Sequence, residues 1–178
     1  MPSRSKPRGG RTAAVVPAVK RKVPRTVATP AGVIYFAYGS NLDGSQMRER
    51  CPSARKVSKA VLHGYAIAFG GWSARWGGAV ASIVPVRGSR VEGLLYRIAP
   101  EDLYRLDQFE GCPFAYERLT KVVLDEAARR CNAHVYLQTA ADFTDRRVPS
   151  QRYFTQIFRA YERLGFSFEP LVAAIGEL

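Results

Sequence analysis

From residue 33 onward the chain is a succession of short apolar and aromatic runs divided by glycine-rich or polar turns, a pattern that selects a sheet-dominated fold. VIYFAY at 33–38 runs into Gly39-Ser40-Asn41, as a buried strand feeding a turn does. AVLHGYAIAF at 60–69 alternates the larger Val61, His63, Tyr65, Ile67 and Phe69 with smaller residues and reads as a second strand. AVASIVPV at 79–86 and VEGLLYRI at 91–98 flank Gly88-Ser89, and that spacing predicts a hairpin turning there. YERLTKVVL at 116–124 and AHVYLQT at 133–139 predict two more strands joined by a short polar connection. Helical signals interrupt this series at few places. Pro100 in a first-turn position, Glu101 and Asp102 behind it and Gly111 at the far end predict a helix over 100–110. A helical pattern runs from Ser150 through Leu164, and a shorter one over 169–178. The expected fold class is α+β: a small, curved, antiparallel-rich sheet or barrel with peripheral helices.

The chain has 178 residues, about the length of one domain, and 47% of them are hydrophobic, enough for a real core. Its net charge of +12 is unevenly spread. Eight of the 27 Lys and Arg residues (Arg4, Lys6, Arg8, Arg11, Lys20, Arg21, Lys22, Arg25) fall within 1–42, where there is no Asp or Glu, leaving 19 basic against 15 acidic residues beyond. Residues 1–30, rich in Pro, Arg, Lys, Ser and Thr, therefore read as a flexible basic arm, and 31–178 as the folded domain. The apolar stretch AAVVPAV in the arm is short and broken by Pro17, unlike a secretory signal. The arm's composition overlaps with that of organelle transit peptides and of nucleic-acid-binding segments, and a simple solvated tail explains it equally well.

Cys51, Cys112 and Cys131 are odd in number and include no CxxC pair, which supports neither a disulfide framework nor a zinc site and fits a reducing compartment. His63 and His134 form no metal-binding pair and read as packed or surface imidazoles. No apolar run reaches the 18 residues or so of a membrane-spanning helix, and the expectation is a soluble, cytoplasmic protein, with organelle targeting by the arm as the alternative.

Two segments carry chemistry. On the helix over 100–110, Leu103, Leu106 and Glu110 stand at i, i+3 and i+7, so a carboxylate falls on the stripe that the leucines direct inward. Burial and the negative helix end both disfavour its charged form, which tunes it toward acid/base work near neutrality. The competing reading is a frayed last turn, with Glu110 in solvent or paired with an arginine. Asp107 sits at the edge of the same face, as a polar contact. The second segment is Tyr38-Gly39-Ser40-Asn41-Leu42, where small residues follow a strand and backbone N–H groups can converge on an anion or a developing oxyanion. It is neither a GxSxG elbow nor a Walker loop, and an ordinary capped turn would have the same composition.

FAYGSNL at 36–42, GGAVASIVP at 77–85, VEGLLYRI at 91–98 and LDQFEG at 106–111 together resemble the γ-glutamylcyclotransferase family, in that order and at its spacing. The likeness continues through Tyr116, VYL at 135–137 and PSQRY at 149–153, covering about 33–165 and excluding the basic arm. It implies a small barrel with peripheral helices and a cofactor-free, metal-free enzyme that converts a small-molecule γ-glutamyl amide into 5-oxoproline and a free amine or amino acid. Glutathione metabolism is the corresponding setting. By matching motif, Glu110 is the catalytic acid/base, and Tyr38, Gly39, Ser40, Asn41 and Leu42 form the substrate-binding loop. Tyr116, Tyr136 and Tyr153 correspond to tyrosines of the pocket, with core packing as the competing role for each. The Cys-Pro of GCPFAYER is a departure expected to reshape the pocket mouth, and the loop bearing Trp72 and Trp76 is expected to form its other wall. The alternative function is a non-catalytic binding module on the same fold, its basic arm making nonspecific, salt-sensitive contacts with nucleic acid or another polyanion. The sequence leaves oligomeric state and the amine half of the substrate open.

Overall fold

The computed structural model describes residues 32–176, so the basic arm expected over 1–30 lies outside the described residues. Ten elements follow one another: β1 (Val33–Ala37), a single 3-10 turn (Ser40–Leu42), α1 (Gly44–Arg50), β2 (Arg55–Ser73), β3 (Gly78–Ile98), α2 (Pro100–Glu110), β4 (Tyr116–Asp125), β5 (Arg130–Gln138), α3 (Gln151–Leu164) and α4 (Glu169–Gly176). The strands close into a barrel in the order β1-β3-β2-β4-β5. Closure satisfies the strand edges where the five strands meet, while the part of β3 before Leu94 has β2 alone as its strand partner. All pairings are antiparallel except that of β1 with β5, which meet in parallel at Tyr35 and His134. The fold is the α+β barrel with peripheral helices that the residue pattern implies.

One expectation is overturned. No hairpin turns at Gly88-Ser89; residues 78–98 form one strand of 21 residues against the 19 of β2. His63 faces Arg90 and Tyr65 faces Pro85, so residues 86–89 stand opposite Gly64 alone. Gly64 and Gly88 adopt φ of +79° and +84°, backbone that glycine takes at low cost. The surplus residues thus bulge and bend the ribbon without reversing it. The reversal falls at residues 74–77, where the Trp76 and Gly77 N–H groups both donate to Ser73 O.

β1 is buried on both faces over 35–37, and the Phe36 ring packs against Gly93 of β3. A Cβ at Gly93 would stand 2.4 Å from Ala37 O and 2.5 Å from Phe36 Cζ, inside hard contact. Gly93→Ala is expected to cost about 2–3 kcal/mol by forcing the strands apart. Urea unfolding should register this as a lower midpoint, and an unchanged midpoint would mean that this contact is not close-packed.

The helices are punctuated by local chemistry. Asp43 caps α1 by accepting from the Ser45 and Gln46 N–H groups, and Ser150 caps α3 by accepting from the Tyr153 N–H. Gly111, at φ +64°, ends α2 immediately after Glu110, with the Gly111 and Cys112 N–H groups closing on Gln108 O and Asp107 O.

Candidate active site

β1 delivers Tyr38, Gly39 and Ser40 to one end of the barrel, where the 3-10 turn begins. The Leu42 and Asp43 N–H groups donate to Gly39 O and Ser40 O, which closes that turn. The N–H groups of Ser40 and Asn41 precede its first bond and have no carbonyl within the turn to meet. β1 pairs with β3 only over 94–98, so around Ala81 the second edge of β3 is not taken up by β1. Two tyrosines engage it: the Tyr116 hydroxyl donates to Ala81 O at 2.7 Å, and Tyr153 Oη accepts from the Ala81 N–H at 3.0 Å. Tyr38 donates to Tyr136 O at 2.6 Å.

These groups enclose a narrow hollow of about 30 Å³. Of the residues expected at the site, Tyr38, Gly39, Ser40, Asn41, Glu110, Tyr116, Tyr136 and Tyr153 all line it. Leu42 does not. Its side chain is 3% exposed within the core, because the 3-10 turn that presents Ser40 and Asn41 turns the next residue inward. Tyr35 and Ala81 complete the wall without having been foreseen.

Glu110 Oε1 accepts from Asn41 Nδ2 at 2.9 Å and from Arg50 Nη1 at 2.8 Å. Both side chains of this ion pair are largely buried, at 6% exposure for Arg50 and 15% for Glu110. The arginine partner was one of the sequence alternatives for Glu110; here the pair sits inside the wall of the hollow rather than in solvent. Burial pushes the Glu110 carboxyl above its ordinary range, while Arg50 and the Asn41 amide hold it back. Burial likewise drives the Tyr38 and Tyr116 hydroxyls well above the ordinary phenol value and that of Tyr153 up to about 12, so all three are neutral near pH 7.

A second layer holds the loop. Asn41 Nδ2 also donates to Tyr35 Oη, and Asn41 Oδ1 accepts from Gln46 Nε2 and Arg50 Nη1. Gln46 Nε2 reaches Ser40 Oγ at 2.8 Å, and Gln156 Nε2 from α3 reaches Gln46 Oε1 at 3.0 Å and Ser40 O at 3.3 Å. Behind α2, Tyr136 donates to Asp107 Oδ1 at 2.7 Å, and Asp107 Oδ2 pairs with Arg118 at 2.8 Å. Asp107 is thus the polar contact at the helix edge, fastening α2 to β4 and β5 three residues before Glu110. The sequence reading missed Arg50 and Gln46. Their i, i+4 spacing in GSQMRER was the available signal, on a helix of seven residues too short to show a period.

Loss of a single hydroxyl tests this framework. Tyr153→Phe is expected to leave the buried Ala81 N–H without its acceptor and to destabilise by about 1–3 kcal/mol. Equilibrium urea denaturation would measure it; a variant as stable as the parent would show that the tyrosine does not serve this edge.

The hollow opens beside a wider cleft of about 350 Å³, with which it shares Ser40, Glu110, Tyr116 and Tyr153. Trp72 and Trp76 line this cleft, as expected, and so do Gly111 and Ala115. Cys112 and Pro113 do not border it, so the Cys-Pro departure leaves the mouth to its neighbours. His63 and His134 lie away from both spaces. Among the described residues, no cluster of three or more His, Cys, Asp or Glu side chains is placed to hold a metal, and no helix is long and apolar enough to cross a membrane.

A barrel that holds a largely buried carboxyl group over a polar hollow, flanked by a glycine turn, has the parts that acid/base chemistry on a small molecule requires. The family model described as gamma-glutamyl cyclotransferase, AIG2-like, matches residues 35–155, and the chain belongs to that family. It is 37% identical to the gamma-glutamylcyclotransferase of Mus musculus over 82 residues, 44% of each chain, and 31% identical to that of Homo sapiens over 111 residues, 60% of this chain and 59% of the relative. The chain thus spans about half the length of the curated relatives it matches. A solved structure titled gamma-glutamyl cyclotransferase superposes with a TM-score of 0.72 at 27% identity, covering 78% of this chain and 83% of that one.

Proposed function

We propose that this chain is a cyclotransferase acting on a γ-glutamyl amide, releasing 5-oxoproline and a free amine or amino acid. The observation that carries this reading is that the Glu110 carboxyl group and the Gly39-Ser40 backbone border one hollow. The nucleophile belongs to the substrate. Its α-amino nitrogen attacks the γ-carbonyl carbon, forming the lactam C–N bond as the carbonyl electrons move to oxygen; collapse of that oxyanion expels the amide nitrogen. Glu110 takes a proton from the attacking amine and returns it to the leaving one, so protons and electrons balance without a cofactor. Asn41 and Arg50 both bind Oε1, and no hydrogen bond among the described residues falls on Oε2, which leaves that oxygen for proton transfer. Backbone N–H groups of the 3-10 turn are oriented by the Gln46 and Gln156 contacts to meet the oxyanion, a kind of donor worth about 10²- to 10³-fold in rate. Tyr116, Tyr136 and Tyr153, neutral and tied to backbone or carboxylate, shape the wall and exclude water.

The three thiols of the described chain are free, which favours a reducing compartment such as the cytoplasm. The test of the function is direct. Purified protein incubated with γ-glutamyl amino acids and γ-glutamyl amines is expected to yield 5-oxoproline by mass spectrometry; free glutamate in its place would indicate hydrolysis and overturn the reading.

A further inference from the structure

The wider cleft beside the hollow receives whatever lies beyond the scissile amide, and its walls differ chemically from those of the hollow. Trp72 is 64% exposed and Phe109, on the last turn of α2, is 45% exposed, and both line the cleft. Together they give the cleft an aromatic lining that the hollow, with its bound tyrosine hydroxyls, does not offer. Arg75, on the 74–77 turn, lines the same cleft. Its guanidinium carbon lies 5.7 Å from the centre of the Trp76 ring, and no carboxylate pairs with it among the described residues. Trp76 is itself fixed: its ring packs 4.9 Å from that of Tyr153, and Arg152 covers it at 5.0 Å while donating to Arg75 O. The turn that carries Arg75 is therefore anchored from α3. The other charges at the cleft are committed within the protein. Arg50 pairs with Glu110, and Asp142 accepts from Gln138 Nε2 at 2.8 Å.

From this arrangement we infer that the leaving half of the substrate is an α-amino acid with a large apolar or aromatic side chain, its free carboxylate met by Arg75 and its side chain seated between Trp72 and Phe109. The inference rests on the cyclotransferase reading and narrows it to a substrate class. The scissile nitrogen at Glu110 is the amino group of that residue, so its carboxylate and side chain both project into the cleft. A leaving half bearing a second ammonium would instead bring a positive charge toward Arg75. Simple amines would forgo the ionic contact, and small amino acids the aromatic one.

Four compounds separate these contributions: γ-glutamyl-phenylalanine, γ-glutamyl-phenethylamine without the carboxylate, γ-glutamyl-alanine without the ring, and the ε-linked γ-glutamyl-lysine. The full-length protein is expected to turn over the phenylalanine compound with a kcat/KM about tenfold or more above each of the others. In Arg75→Gln the preference for phenylalanine over phenethylamine should collapse to about twofold, and in Trp72→Ala the preference for phenylalanine over alanine should do the same. Both side chains are exposed, Trp72 at the end of β2 and Arg75 on the turn, and the comparison among substrates in the unaltered protein stands even if a variant folds poorly. Equal kcat/KM across the panel, or a lead for the phenethylamine or lysine compound, overturns the inference while leaving cyclotransfer intact. No 5-oxoproline from any of the four would sink the functional proposal, and the substrate class with it.

Discussion

Glu110→Gln is expected to lower 5-oxoproline formation by about 10²- to 10⁴-fold, the range that a positioned acid/base contributes. The amide oxygen can occupy the place of Oε1 and keep the 2.8 Å and 2.9 Å contacts from Arg50 and Asn41, whereas the amide nitrogen can neither accept nor return a proton at Oε2. Arg50 retains Asn41 Oδ1 at 3.0 Å and the Phe109 ring at 5.3 Å, so the buried cation is not left bare. Circular dichroism should therefore report a folded barrel, and substrate should still bind. A glutamine variant turning over at the parental rate would remove the carboxyl group from the chemistry and leave the hollow as a binding pocket.

The second large effect belongs to Arg50, and its sign follows from the carboxyl group it serves. Burial raises the pKa of Glu110, and Arg50 is the first of the influences that pull it back down. In the parent protein the acid limb of kcat/KM, where Glu110 must lose its proton to act as base, is expected above the ordinary glutamate value of about 4.3. Arg50→Gln takes away the counter-charge, so that limb should move further toward neutral pH. Stability follows the same linkage. A carboxyl whose folded pKa is raised contributes fully below its unfolded pKa, and this contribution is lost as pH rises through the folded value. The variant should thus differ least from the parent near pH 4, where Glu110 is protonated in both. The difference should grow toward pH 7 to about 3–5 kcal/mol, the cost of leaving one member of a buried pair alone. Urea denaturation at both pH values and a pH–rate profile measure the two consequences. A stability difference that does not change with pH, together with an unmoved acid limb, would show that Arg50 serves packing only.

Much of the barrel was legible because strand-length apolar runs and helix punctuation are local. The limits of α2 followed from Pro100, its first-turn acids and Gly111, and the start of α3 from Ser150. The misread hairpin shows where local information ends. Gly88 marks a departure from regular strand geometry, but whether the chain then reverses or bends depends on the partner running opposite. That partner is β2, contributing only Gly64 against residues 86–89. Leu42 teaches the same at the site: the loop motif names five consecutive residues, and a turn of three residues per revolution cannot aim all of them at one hollow.

What the linear order determined by itself was the set of parts that the proposed reaction uses: a carboxylate at position 110 on the stripe of the helix leucines, a glycine turn after the first strand, and a reservoir of tyrosines downstream. Tertiary structure alone decided their charge state and company. Arg50 lies 60 residues from Glu110, and Tyr153 lies 72 from the Ala81 amide it receives. Periodicity reports which way a side chain faces, since that is fixed by the backbone of its own element. The group that faces it from another element is fixed by how the elements pack together, and at this site that packing brings an arginine of α1 to the carboxyl group of α2, and tyrosines of β4 and α3 to an edge of β3 left unpaired by β1.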